Sequence, residues 1–155
     1  MTHEELMQLA IALATDNVRR GGGPFGAVIA RQGEIIAEGV NRVTAGHDPT
    51  AHAEVQAIRA ACERLGTFSL EGCDIYASCE PCPMCLGAIY WARLSRLYYA
   101  ATKTDAAEAG FDDAFIYKEL ALDYSLRHLP TCHLTDPEAL APFDCWREQT
   151  DKVAY

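Results

Sequence analysis

The chain has 155 residues, half of them apolar, and a formal net charge of -9. That length fits one domain with a single sizeable core and is too short for two ordinary ones. The charge excludes a general polyanion binder, because nucleic-acid binding relies on Lys and Arg neutralising phosphates. No stretch approaches the roughly 18 apolar residues of a membrane span, and the start "MTHEELMQLAIALATDNVRR" lacks a basic region followed by an unbroken apolar run. The expectation is a soluble, unexported, cytoplasmic protein with neither nucleic acid nor membrane as partner. Its densest basic clusters, Arg19 with Arg20 and Arg93 with Arg96, read as solvated ends of elements.

In chain order, Thr2 with Glu5 forms a capping box, and Leu6, Leu9, Leu13 and Ala14 make the apolar stripe of a helix ending before "GGGPFG". "FGAVIAR" and "EIIAEGV", separated by "QG", read as a β-hairpin. The turn-rich "NRVTAGHDP" is a loop delivering the chain to Thr50, the expected N-cap of a helix over 51–65. "CDIYAS" reads as a buried strand, "CPMCLGAIYWARL" as a helix with Pro83 in its first turn, and "RLYYAAT" as a further strand. After Thr102 the pattern weakens: "DAAEAGFDDAFIYKELAL" holds one or two short helices and "TCHLTD" a small fifth strand. "PEALAPFDCWREQTDK" reads as a last helical segment broken by Pro142. Strands alternating with helices predict an α/β sandwich with a mixed five-stranded sheet, its hairpin antiparallel and its later strands joined by crossover helices. No repeat, low-complexity tract or linker divides the chain, so 1–155 is expected to form one domain.

Seven cysteines are present, and Cys79, Cys82 and Cys85 lie too close together to brace a fold by long-range cross-links. Clustered thiols in a chain without an export signal point to metal ligation. Cys62, Cys73, Cys132 and Cys145 are expected as small apolar residues. His52, Cys82 and Cys85 supply the three nitrogen and sulfur donors that a catalytic zinc takes while keeping one position for water. Cys82 and Cys85, three apart at a helix start, can meet one ion, and the helix N-terminus favours their thiolates. Glu54, two residues from His52, is placed to take a proton from the water without ligating the metal.

Other uses of the same residues stay open at this point. A C-x-x-C pair also serves redox and structural zinc sites, a closed structural zinc could use Cys79 as a fourth ligand, and C-x-x-C-x-x-C hints at an iron–sulfur cluster. The cluster leaves H-x-E unexplained, and a structural site has no use for the carboxylate.

"HAE" followed after a strand by "PCPMC" matches H-x-E…P-C-x-x-C, the signature of zinc-dependent nucleobase deaminases. The sequence thus resembles the cytidine deaminase superfamily, which implies a three-layer α/β/α sandwich with zinc at the N-termini of two helices. "GGPFGAVI", "HDPTAHAEVQAIRAAC", "SCEPCPMCLGAIYWAR" and "TDAAEAGFDDAFIYKE" are together similar to small bacterial guanine deaminases over nearly the whole chain; 120–134 is not matched. That likeness implies hydrolysis of guanine to xanthine and ammonia, with one zinc per subunit. A zinc-held hydroxide would attack the carbon bearing the 2-amino group, and Glu54 would shuttle protons. By motif position it also implies Phe25 packing on the ring, Asn41 bonding the carbonyl and N7 edge, and Asp113 accepting from a donor or assisting proton transfer; Ala53 and Trp91 are carried over as substrate contacts.

Alone, Phe25 could be a core aromatic, Asn41 a turn residue and Asp113 a helix cap, with Asp112 the neighbour to confuse with Asp113. The resemblance further implies a homodimer in which 136–155 crosses to the partner and places Tyr155 over its active site. The rivals are tRNA adenosine deamination, deamination of cytosine or an aminotriazine on the same zinc frame, and a non-catalytic zinc-binding protein.

Overall fold

The computed structural model describes residues 1–155, which separate into two units, Met1–Tyr117 and Lys118–Tyr155. The first unit opens with α1 (His3–Arg19), started by the capping box: Thr2 accepts from the Glu5 N–H and the Glu5 carboxylate from the Thr2 N–H. The hairpin β1 (Gly26–Arg31) and β2 (Glu34–Val40) turns at Gln32 and Gly33, both with positive φ, the requirement of a two-residue turn matching strand twist. Then come α2 (Val43–Gly46), α3 (Ala53–Leu65), β3 (Asp74–Cys79), α4 (Pro83–Trp91), β4 (Arg96–Ala101), α5 (Lys103–Glu108) and α6 (Asp113–Ala121), the last running into the second unit.

The sheet is ordered β2-β1-β3-β4, with β1 antiparallel to both neighbours and β3 parallel to β4. A parallel pair needs a crossover, and α4 supplies it. Alternate residues of the central strands feed opposite faces. Val28, Ala30 and Tyr76 pack with Leu6 and Ala10 of α1, while Ala27, Ile29 and Ile75 pack with Ala53, Ala57 and Ala61 of α3 and Ile89 of α4. The alanine stripe lets α3 lie close to the sheet. At Gly39 of β2 the approach is so tight that an added Cβ would overlap the backbone of Ala53 and Ala57.

The sheet has four strands, where the sequence suggested five. The missing one is the expected strand at "TCHLTD", over 131–136, which takes no regular structure. Cys132 and Leu134 alternate with polar residues as in a strand, yet all of 131–136 is exposed and no partner strand pairs with it; alternation makes a strand only where a ladder exists to join. Two smaller differences have local causes. Thr50 does not cap α3: its hydroxyl donates to Asp48 at 2.7 Å and His52 is the N-cap. Pro142 does not break the last helix, α7 (Ala141–Glu148), but sits in its first turn, where a missing N–H costs nothing.

In the second unit Leu126, Leu129, Leu134, Leu140, Phe143 and Trp146 are exposed. Cys132 and Cys145 are exposed there too, not the buried apolar fillers expected, whereas Cys73 is fully buried. No helix is long and apolar enough to cross a membrane.

Candidate metal centre and active site

Two helix starts converge on one point. His52 is the N-cap of α3 and Cys82 the N-cap of α4, both with extended backbone (ψ 155° and 167°), and Pro83 fixes the first helical residue after Cys82. Extended backbone at the N-cap turns the side chain over the open end of its own helix. Cys85, one turn on and fully buried, points to the same place. His52 Nδ1 lies 3.5 Å from Cys82 Sγ and 3.4 Å from Cys85 Sγ. Two ligands at the tetrahedral angle around zinc, with Zn–N near 2.0–2.1 Å and Zn–S near 2.3 Å, would be separated by about 3.6 Å. The donor set and its spacing therefore fit zinc with three protein ligands.

The electrostatics fit as well. The Cys85 thiol and the His52 ring hold the Cys82 thiol down to about 4. Its hydrogen bond to Cys82, reinforced by burial, pushes Cys85 upward, and Cys82 raises His52. Two sulfurs thus compete for one proton beside an imidazole, an arrangement that a divalent cation relieves by taking the proton's place.

Glu54, in the first turn of α3 and 7% exposed, is raised because burial penalises its carboxylate. Asp113, first residue of α6, is raised by burial and next by the Cys82 thiolate. Its neighbour Asp112 accepts from the Phe115 N–H at 3.1 Å and so caps α6. The Tyr117 hydroxyl donates to the Pro81 carbonyl at 2.7 Å, tying α6 to the turn that carries Cys82.

His52, Glu54 and Cys82 line a cavity of about 370 Å³ together with Phe25, Asn41 and Asp113. These sequence-expected residues come from five separate segments of the first unit. Ala53 is fully buried under the sheet and does not line the cavity; Trp91, at the far end of α4, is exposed and does not line it either. Tyr155 belongs to the second unit and is exposed. Sequence reasoning missed Glu80 and Phe111, both cavity-lining. Each directly adjoins a motif, Glu80 before "PCPMC" and Phe111 before the Asp112–Asp113 pair, and that adjacency was the available signal.

Phe111 meets Phe25 edge to face at 5.0 Å, and the two rings also border a second, mostly apolar cavity of about 590 Å³. Cys79 lines that second space, its thiol donating to the Thr102 carbonyl at 3.6 Å and raised by burial to about 11. It is not one of the three convergent donors.

Residues 1–101 match the family model of the cytidine and deoxycytidylate deaminase zinc-binding region. The chain is 56% identical over 156 residues to guanine deaminase of Bacillus subtilis strain 168, with both proteins covered completely. The X-ray structure of guanine deaminase from Bacillus subtilis aligns with a TM-score of 0.98 over 100% of this chain and 99% of that one. A tRNA-specific adenosine deaminase of Agrobacterium fabrum is 46% identical over 106 residues, covering 67% of this chain and 70% of its own. Guanine deaminase from Nitrosomonas europaea aligns with a TM-score of 0.70 at 35% identity, over 72% of this chain and 65% of that one. With the donor triad and the carboxylate beside it in place, the chain belongs to the zinc-binding cytidine and deoxycytidylate deaminase family.

Proposed function

We propose that the protein is a guanine deaminase, hydrolysing guanine to xanthine and ammonia. The observation that carries this reading is likeness to a guanine deaminase over the entire chain, whereas the tRNA adenosine deaminase leaves a third of it unmatched. A net charge of -9 also suits a small base better than a folded polyanion. His52, Cys82 and Cys85 would hold zinc, which when bound would supply Lewis acidity near neutral pH.

The protein's own groups do the rest. Glu54 takes one proton from the attacking water and gives it to a ring nitrogen, then takes the second from the new C2 hydroxyl and gives it to the departing amine. Water oxygen bonds to C2, the C2–N bond breaks, and nitrogen leaves as ammonia. A carboxyl whose proton affinity is raised by burial suits both acceptance and return of the proton. Asn41 Oδ1 accepts from the Val43 N–H at 3.2 Å, so its amide N–H2 is the part left to address a ligand. Guanine O6 and N7 are acceptors, which that donor complements. Phe25 packs on the ring, and Asp113 accepts from a ring or amino N–H or relays a proton.

The second unit supports a dimeric reading of the assembly. Its exposed Leu140, Phe143 and Trp146 need cover, and a homodimer in which 136–155 crosses to the partner provides it. Tyr155 then closes the neighbour's cavity. A cytoplasmic location keeps the ligand thiols reduced.

The test is ammonia release by zinc-loaded protein from guanine, adenine, cytosine, guanosine and an adenosine-containing anticodon stem, with Glu54→Gln as control. Selective, Glu54-dependent loss of guanine is expected; turnover of the anticodon stem in its place would transfer the assignment to RNA.

A further inference from the structure

Asn17 lies in the last turn of α1, five residues before "GGPFGAVI" and outside every motif of the site. It is one of three buried polar or charged residues, 9% exposed. Both protons of its amide are used: Nδ2 donates to the Gly23 carbonyl at 2.8 Å and to the Asn41 carbonyl at 2.9 Å. Its main-chain carbonyl accepts from the Gly22 N–H at 2.8 Å. One residue therefore grips the glycine loop at two points and, with the same carboxamide, holds the segment bearing Asn41.

The packing is equally tight. A Cβ on Gly22 would overlap the Asn17 carboxamide, and one on Gly23 would press on the Asn41 side chain at 3.0 Å. Gly22, Gly23 and Asn41 all line the 370 Å³ cavity. The Asn41 N–H donates to the Phe25 carbonyl at 3.2 Å, and the Phe25 N–H to the Gly23 carbonyl at 2.9 Å, so the bonds form a closed ring. An alanine at 17 would strip the half-buried Asn41 carbonyl of its Asn17 donor and leave the Gly23 carbonyl only the Phe25 N–H, the costly way to lose a hydrogen bond.

We infer that Asn17 is a positioning residue for the base: it locks the glycine loop to the Asn41 segment and so fixes where the Asn41 amide meets the ligand. The inference rests on the guanine reading for the identity of the base, though not for the coupling of the two segments. A residue that only satisfied loop carbonyls would affect stability without singling out Asn41.

The experiment uses zinc-loaded full-length protein and a double-mutant cycle of Asn17→Ala with Asn41→Ala, with Asn17→Asp as an isosteric variant lacking the donors. Asn17→Ala and Asn17→Asp should raise KM for guanine about 10-fold with little change in kcat, the mark of lost ground-state positioning. In the Asn41→Ala background the same change should alter KM less than about 2-fold, because the route through Asn41 is gone. Gly22→Ala should reproduce the effect by displacing the carboxamide, and adding it to Asn17→Ala should cost nothing more.

Equal factors in both backgrounds, or an unchanged KM, would overturn the inference. Amide exchange of Asn17→Asp gives a readout independent of substrate: 21–25 and 41–44 should lose protection together. If the wild-type protein ignores guanine, the assignment of substrate fails while exchange still decides the coupling. Unchanged exchange in both segments sinks the coupling whichever base is used.

Discussion

His52 and Cys82 hold the same position on two different helices: each is an N-cap, and the Nδ1 of one lies 3.5 Å from the Sγ of the other. The candidate metal centre thus draws on two chain entries into helices, with Cys85 added one turn into the second. In most helices the N-cap side chain satisfies the orphan N–H groups. Here neither makes such a bond, and both are turned to a ligand set.

Zinc content follows from that geometry. His52→Ala, Cys82→Ser and Cys85→Ser should each weaken zinc by more than the ~10–100-fold typical of losing an outer-shell partner. Cys79→Ser should retain one zinc per chain, because that thiol bonds Thr102 and faces the other cavity. Metal analysis after dialysis against a chelator separates the two classes.

Glu54→Gln should bind zinc normally and lose about 10²–10⁴-fold in kcat, the range for a missing general acid–base group. The metal-free protein gives a second signature. Burial raises the Glu54 carboxyl above 4.5 in the fold. A raised acid contributes stability that is present below its unfolded pKa and lost as pH rises through the folded value. The Tm of Glu54→Gln relative to wild type should therefore climb as pH increases above 4.5. The difference between the two proteins reports Glu54 together with its pull on His52 and Cys85, both of which its carboxylate raises. A flat difference between pH 4 and 8, on the order of the acid's titration range, would show that the buried carboxylate is compensated.

Asp112 and Asp113 should part company. Asp112→Asn disturbs only a helix cap, where Asn serves nearly as well, and should leave kcat/KM nearly unchanged. Asp113→Asn removes a carboxylate lining the cavity and should lower kcat/KM by at least about 10²-fold. Steady-state kinetics on guanine decide it, and equal effects would assign Asp113 a structural role.

Gly39→Ala should destabilise the fold by about 1–3 kcal/mol, the usual cost of overpacking, because the new methyl meets the backbone of Ala53 and Ala57 and no flexible side chain can yield. Urea unfolding measures it. Zinc affinity should fall in parallel, since the helix pushed outward starts at His52.

A truncation ending before Asp151 should keep its zinc and lose at least about 10-fold in kcat/KM, as expected when a cover that excludes water is removed. Full activity in a folded, truncated protein would remove Tyr155 from the proposed site.

Much of this was legible because the information is local. H-x-E and P-C-x-x-C each sit at one helix start, and strand-helix alternation marks the α/β class. What stayed hidden depends on partners that no motif names, whether near or far along the chain. Thr50 looks like an N-cap until Asp48 takes its hydroxyl, and 131–136 looks like a strand until no strand lies beside it. Phe25, Asn41 and Asp113 could be singled out only through family likeness, since nothing in their spacing announces a common cavity. Glu80 and Phe111 went unnoticed for the same reason, and so did Asn17, whose importance lies entirely in two carbonyls that the fold brings to it.

The Phe25–Phe111 contact has an implication for how such a protein can change. One edge-to-face ring pair separates about 370 Å³ beside the metal donors from about 590 Å³ of apolar space behind. The wall that carries the donors is set by two helix starts. The ring partition is built of side chains alone, so shortening either phenyl would enlarge the chamber without moving the donors. Acceptance of bulkier heterocycles is then a one-codon step from the present protein, while the hydrolytic chemistry, anchored in helix starts, is conserved by the architecture.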